Sequence, residues 1–101
     1  MNFEHEKWID AEEHASWKMR KAMAQDLINR QILDNKNRNQ IVDLLGEPEV
    51  FSDVPENEMY YTIEEDYGHD IDPIKLEYLV VKLQTNEKVE SYYRKVVLDK
   101  T

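Results

Sequence analysis

The sequence predicts an α+β domain, with helices laid on one face of an antiparallel meander, and three observations carry that expectation. Residues 4–33 contain no proline or glycine and are rich in alanine, lysine, methionine and glutamate, a composition that favours helix. The segment NRNQIVDLLGEP, residues 37–48, has the start and stop signals of a short helix. Beyond residue 57 the apolar period changes from that of a helix to two, in segments joined by turn-forming residues. A long and a short helix within 4–45 and a three- to four-stranded sheet within 50–98 therefore make a two-layer sandwich, one domain over 1–101.

The first helix is expected from Glu4 to about Leu33. Trp8, Ala11, Ala15, Met19 and Ala22 form one stripe, whereas Met23, Ala24, Leu27 and Ile28 centre on a different angle and Trp17 lies nearly opposite Trp8. Two stripes on one helix imply either a bend near His14–Ser16 or contact on two sides. In the second helix, Asn37 and Gln40 have the spacing of a capping box. Ile41, Leu44 and Leu45 share a face, Gly46 supplies the positive φ that ends a helix, and Pro48 prevents its restart.

The strands follow. Val50–Val54 is a short strand candidate, and Pro55, Glu56 and Asn57 turn into Glu58–Glu64, where Met59, Tyr61 and Ile63 alternate with Tyr60 and Thr62. The stretch EEDYGHDIDP leads to a long strand over Lys75–Gln84, and Thr85–Glu87 turns it into the last, Lys88 to about Leu98. With Leu79, Val81, Leu83 and Val89 facing the helices, strict alternation puts Tyr78, Val80, Lys82, Tyr92, Arg94 and Val96 on the opposite face, beside Tyr60. One helical layer covers one face of a sheet, so the second set is expected to meet water or a partner. Tyr60, Tyr78, Val80, Tyr92, Arg94 and Val96 are accordingly the candidate partner-binding residues, for a different protein or for a homodimer. The plainer alternative is that tyrosine and valine pairs only stabilise an exposed sheet.

Composition narrows the function classes. The net charge of −9 is uneven: residues 1–34 contribute −2, residues 35–73 contribute −9 and residues 74–101 contribute +2. An acidic centre disfavours nucleic acid, whose backbone is bound by lysine and arginine releasing counterions. No segment approaches the length of a membrane span, the start has no basic stretch followed by an apolar run, and there is no cysteine to lipidate or oxidise. The expectation is a cytoplasmic chain with no lipid anchor.

Reactive groups are equally sparse. His5 and His14 are too far apart along a helix to share a metal, and His69 stands alone. The string DYGHDID lacks the order of a calcium loop, and Ser16, Ser52 and Ser91 lack a nucleophile elbow. Two distant glycines cannot cradle a phosphate. Asp26 lies near the apolar side of the first helix, where Arg20 or Arg30 would hold it in a structural ion pair. No catalytic residue, metal ligand or cofactor is expected, and the chain reads as a non-enzyme.

The run from Arg38 to about Val97 resembles the BamE-like (SmpA/OmlA-like) small domain family. The resemblance is carried by Leu44, Leu45, Gly46 and Pro48 at the turn, Tyr61 and Ile63 in a strand, Asp72 and Pro73 before the long strand, and Lys88 and Val89 opening the last. Upstream, Phe3, Trp8, Arg20, Met23, Asp26 and Leu27 are similar to the first-helix pattern of small bacterial relatives. The resemblance implies an α+β layer of the kind also seen in the beta-lactamase inhibitor protein, used for binding proteins and not for catalysis. The outer-membrane assembly members carry a leader and a lipidated cysteine that have no counterpart here, so no outer-membrane role is carried over. The expectation is a small protein-interaction module; the alternative is an acidic inhibitor or toxin-immunity protein that caps a basic partner.

Overall fold

A computed structural model describes residues 2–67 and 75–98. It has three helices, α1 (His5–Glu13), α2 (Trp17–Asn29) and α3 (Arg38–Leu45), followed by three strands, β1 (Glu58–Asp66), β2 (Lys75–Leu83) and β3 (Val89–Leu98). The strands form one antiparallel sheet in the order β1-β2-β3. The helices lie against it, α2 on β1, as expected for an α+β fold.

The long N-terminal helix is in fact two. Ala15 takes φ +52°, Ser16 N–H donates to Ala11 O at 2.7 Å and Ala15 N–H to Glu12 O at 3.1 Å, the pattern of a Schellman stop. The same device ends α2: Gln31 has φ +53°, Ile32 N–H donates to Leu27 O at 3.0 Å and Gln31 N–H to Ile28 O at 3.2 Å. The break allows each stripe to reach the core, with Trp8 and Ala11 buried from α1 and Met23, Ala24 and Leu27 from α2. The short helix follows its signals. Gln40 N–H donates to Asn37 Oδ1 and Asn37 N–H to Gln40 Oε1, both at 2.9 Å. Gly46 ends it at φ +87°, ψ −175°, a region open essentially to glycine alone.

Trp8 anchors the core. It is fully buried, with Phe3 and Tyr61 packed around it at ring-centroid distances of 5.9 and 6.4 Å. Three carbonyls at the end of α3 are met by side chains from other elements. His5 Nδ1 is 2.8 Å from Leu44 O, Trp8 Nε1–H donates to Leu45 O at 3.0 Å, and Tyr61 O–H donates to Gly46 O at 2.8 Å. Polar closure thus fixes α1 and β1 to α3 around an apolar centre that also holds Ile41, Met59, Ile63, Leu79, Val81 and Leu83.

Three expectations need correction. Val50–Val54 is not a strand; the segment makes a single bridge, Glu49 to Tyr60, and crosses the outer face of the sheet as a strap. Its Phe51 ring meets Tyr60 and Tyr78 edge-on at 5.9 and 5.7 Å, and Val54 packs on the same cluster. The outer face over β1 and β2 is therefore covered by the chain itself, and Tyr60, Tyr78 and Val80 are buried in place of being exposed.

The third correction concerns β3. The pairing slips by one residue between Lys82 and Leu83: Val89 lies opposite Leu83, but Ser91, not Glu90, lies opposite Lys82. A one-residue bulge reverses the facing of everything beyond it. Tyr92 is opposite Val81, Arg94 opposite Leu79 and Val96 opposite Glu77, so all three lie on the helix side, not on the outer face. Tyr93, Lys95 and Val97 take the outer positions, opposite Val80, Tyr78 and Leu76.

Candidate functional site

Most of the candidate residues are buried or bonded within the chain itself. Tyr92 packs on the edge of the main core and donates its hydroxyl to Asp34; burial, and after it that bond, pushes its pKa up to about 12. Arg94 Nε donates to the carboxylate of Glu77, which is buried, and its Nη1 reaches Gln25 Oε1 at 2.9 Å. Lys21 completes that site 3.6 Å from Glu77, and also pairs with Glu64 at 3.1 Å. Of the six candidates, Arg94 and Val96 are exposed, Val96 at 50%, and Tyr92 is half-buried.

The acidic middle of the chain is partly neutralised in the same way. Lys75 and Lys21 hydrogen-bond to Glu64 and hold its carboxyl below the ordinary range. Asp26 takes the ion pair expected of it, through Arg30: Arg30 Nε and Nη2 both donate to its carboxylate, Phe3 N–H adds a bond at 2.7 Å, and the pKa is lowered. Asp70, Asp72, His69 and Pro73 lie outside the described residues. Among the described residues no three His, Asp or Glu side chains gather in a way that would hold a metal ion.

What remains is the rim of the sheet, where backbone groups lack a neighbouring strand. Its two edges differ. On the β1 side, Glu49 N–H donates to Tyr60 O at 2.8 Å, and Arg20 Nη1 donates to Thr62 O at 2.7 Å. Arg20 is fully buried, with its guanidinium carbon 3.9 Å from the centre of the Trp8 ring and Nη2 2.9 Å from Glu12 Oε2. Burial lowers its pKa, and the Glu12 carboxylate works against that shift. A buried cation here does part of the work of a neighbouring strand: it supplies one donor to the β1 edge.

On the β3 side, the linker between α2 and α3 covers only the beginning. Arg38 N–H donates to Glu87 O at 3.0 Å and Val89 N–H donates to Lys36 O at 2.8 Å, around the bridge from Asn37 to Lys88. From Glu90 to Leu98 no other strand or bridge among the described residues pairs with that edge. The same stretch carries the exposed apolar side chains Tyr93, Val96, Val97 and Leu98. Lys95 and Val97 also border a depression of about 290 Å³ whose floor is Phe51, Tyr60 and Tyr78. Lys95 Nζ lies across it, donating to Tyr60 O–H at 3.1 Å and 5.4 Å from the ring centre.

Tyr93, Lys95 and Val97 were absent from the sequence-based candidates. The doublets Tyr92-Tyr93 and Val96-Val97 were the available signal, since they place apolar side chains on both faces whichever way the strand is turned. No helix among the described residues is long and apolar enough to cross a membrane. In comparison with known proteins, no family model matches the chain, and neither a curated protein nor a solved structure matches it.

Proposed function

We propose that this chain is a non-enzymatic protein-interaction module that takes a partner strand on the free edge of β3. The observation that carries this reading is the pairing asymmetry: Glu90–Leu98 has no strand beside it among the described residues, and its side chains include four exposed large apolar groups. Strand addition supplies affinity through main-chain hydrogen bonds, and alternate side chains supply specificity. The resemblance to BamE-like domains supports the choice of a binding module by analogy of fold, and only so far. The acidic-inhibitor alternative draws on the charge of residues 35–73, but Glu64 of that stretch is already paired with Lys21 and Lys75.

Site-specific photo-crosslinking tests the reading. A benzophenone side chain in place of Tyr93 is expected to crosslink to one discrete segment of a partner chain, whether a second copy or another protein. The same probe at the exposed Lys18 on α2 is not. Equal yields from both positions would remove the case for the β3 edge.

A further inference from the structure

We infer that the occupant of the β3 edge is a second copy of this chain, paired antiparallel with its own β3 so that Arg94 faces Arg94 of the other copy across a two-fold axis. The inference rests on the edge reading given above and adds the identity and register of the partner.

The first step is that the cations of β3 are already engaged. Arg94 is held by the buried Glu77, and Lys95 by the hydroxyl and ring of Tyr60. Arg94 is therefore committed to a carboxylate of its own chain, whereas Lys95 rests on a neutral hydroxyl and can still meet a group set opposite it. The large exposed side chains beside them are apolar and aromatic. A two-fold arrangement presents the same surface on both sides and closes without forming a fibre.

The second step is the register. A two-fold axis normal to the sheet keeps the outer face with the outer face, so only residues of like facing can be opposite each other. Pairing centred on Tyr93 would run into Val89 and Lys88, where Lys36 and Asn37 already occupy the edge. Pairing centred on Lys95 would set two ammonium groups opposite each other, each bonded to the neutral Tyr60 hydroxyl and, among the described residues, to no carboxylate. Pairing centred on Arg94 avoids both faults. It uses the whole open stretch from Glu90 to Leu98, and each guanidinium facing the axis is neutralised by its own Glu77. On the helix side it puts Tyr92 opposite Val96, an aromatic and β-branched pair. On the outer face it puts Tyr93 opposite Lys95, a cation and a ring.

Sedimentation velocity over a concentration series, at physiological ionic strength, with Tyr93→Lys and Tyr93→Glu is the test. Tyr93 is 42% exposed, so both variants are expected to keep the wild-type fold, which a thermal melt checks. The wild type is expected to form a dimer. Tyr93→Lys sets lysine opposite Lys95 of the other copy and is expected to abolish it. Tyr93→Glu sets a carboxylate there and is expected to dimerise at least tenfold more tightly than Tyr93→Lys. This order is opposite to what net charge alone gives, because the glutamate variant is the more negative of two already acidic chains. Equal weakening by both variants, or a dimer indifferent to both, would overturn the register. A wild type that stays monomeric at every concentration would overturn the second copy as occupant. The edge reading would then stand or fall separately, on the crosslink from position 93.

Discussion

β1 and β3 are both outer strands of the same three-stranded sheet, yet they are finished in opposite ways. β1 has α2 and the Trp8 cluster on one face and the Phe51 strap on the other, and its edge carbonyls are taken by Glu49 and Arg20. β3 is covered at its first residues by Lys36–Arg38 and is exposed along nearly all the rest. A free edge is a template for pairing, and proteins usually blunt it. The chain brings a buried arginine and a strap to one edge and leaves the other open, so the open edge is where association is to be sought.

The comparison is sharpest in side-chain truncation. Ile63 of β1 is fully buried in the main core, whereas Val97 of β3 is 40% exposed. Ile63→Ala is expected to cost about 2–5 kcal/mol through lost burial and the cavity left behind. Val97→Ala is expected to fall within about 1 kcal/mol of wild type, in line with partly exposed positions. Chemical denaturation measures both, and similar losses would erase the distinction. The next largest effect concerns the turn that positions the strap. Gly46→Val is expected to cost on the order of 2 kcal/mol through its backbone region alone, and any Cβ there would meet Ile9 Cδ1 at 3.2 Å. A melt unchanged by the substitution would contradict this.

Acid should loosen the β1 side first. The pKa of Glu64 is lowered from 4.5 by Lys75 and Lys21, and that of Asp26 from 3.8 by Arg30 and Phe3 N–H. A carboxyl whose folded pKa lies below its unfolded value adds stability above the unfolded value and loses it as the pH falls through the folded one. Stability is therefore expected to fall progressively below about pH 4.5, and Glu64→Gln should flatten the upper part of that fall. A pH profile identical in wild type and Glu64→Gln would contradict the assignment.

The smallest effect is a gain. Ala15 occupies a left-handed position that glycine adopts without a steric cost. Ala15→Gly is expected to stabilise by about 0.5–1 kcal/mol, while leaving the β3 edge untouched.

Much of the fold was legible because its signals are local. Asn37, Gln40 and Gly46 cap and stop α3 as their spacing indicates, and Met59, Tyr61 and Ile63 all turn inward as alternation requires. The two stripes pointed to a bend near His14–Ser16, where the first break lies, but neither stop carried its usual mark, because Ala15 and Gln31 hold positive φ in place of glycine. The outer cluster was hidden because its cover, Phe51 and Val54, comes from a segment with no regular pattern. The candidate site suffered most. One bulged residue near Glu90 reverses Tyr92, Arg94 and Val96, and nothing in the string KVESYYRKVV announces which residue is extra.

The open edge of β3 is tested most directly by amide hydrogen exchange, read residue by residue at low and high protein concentration. In the dilute chain, the edge-facing amides within Glu90–Leu98 should exchange far faster than those of Met59–Ile63 in β1, and raising the concentration should slow the β3 amides alone. Equal protection of the two strands at every concentration, or concentration-dependent protection at a different surface, would contradict the account.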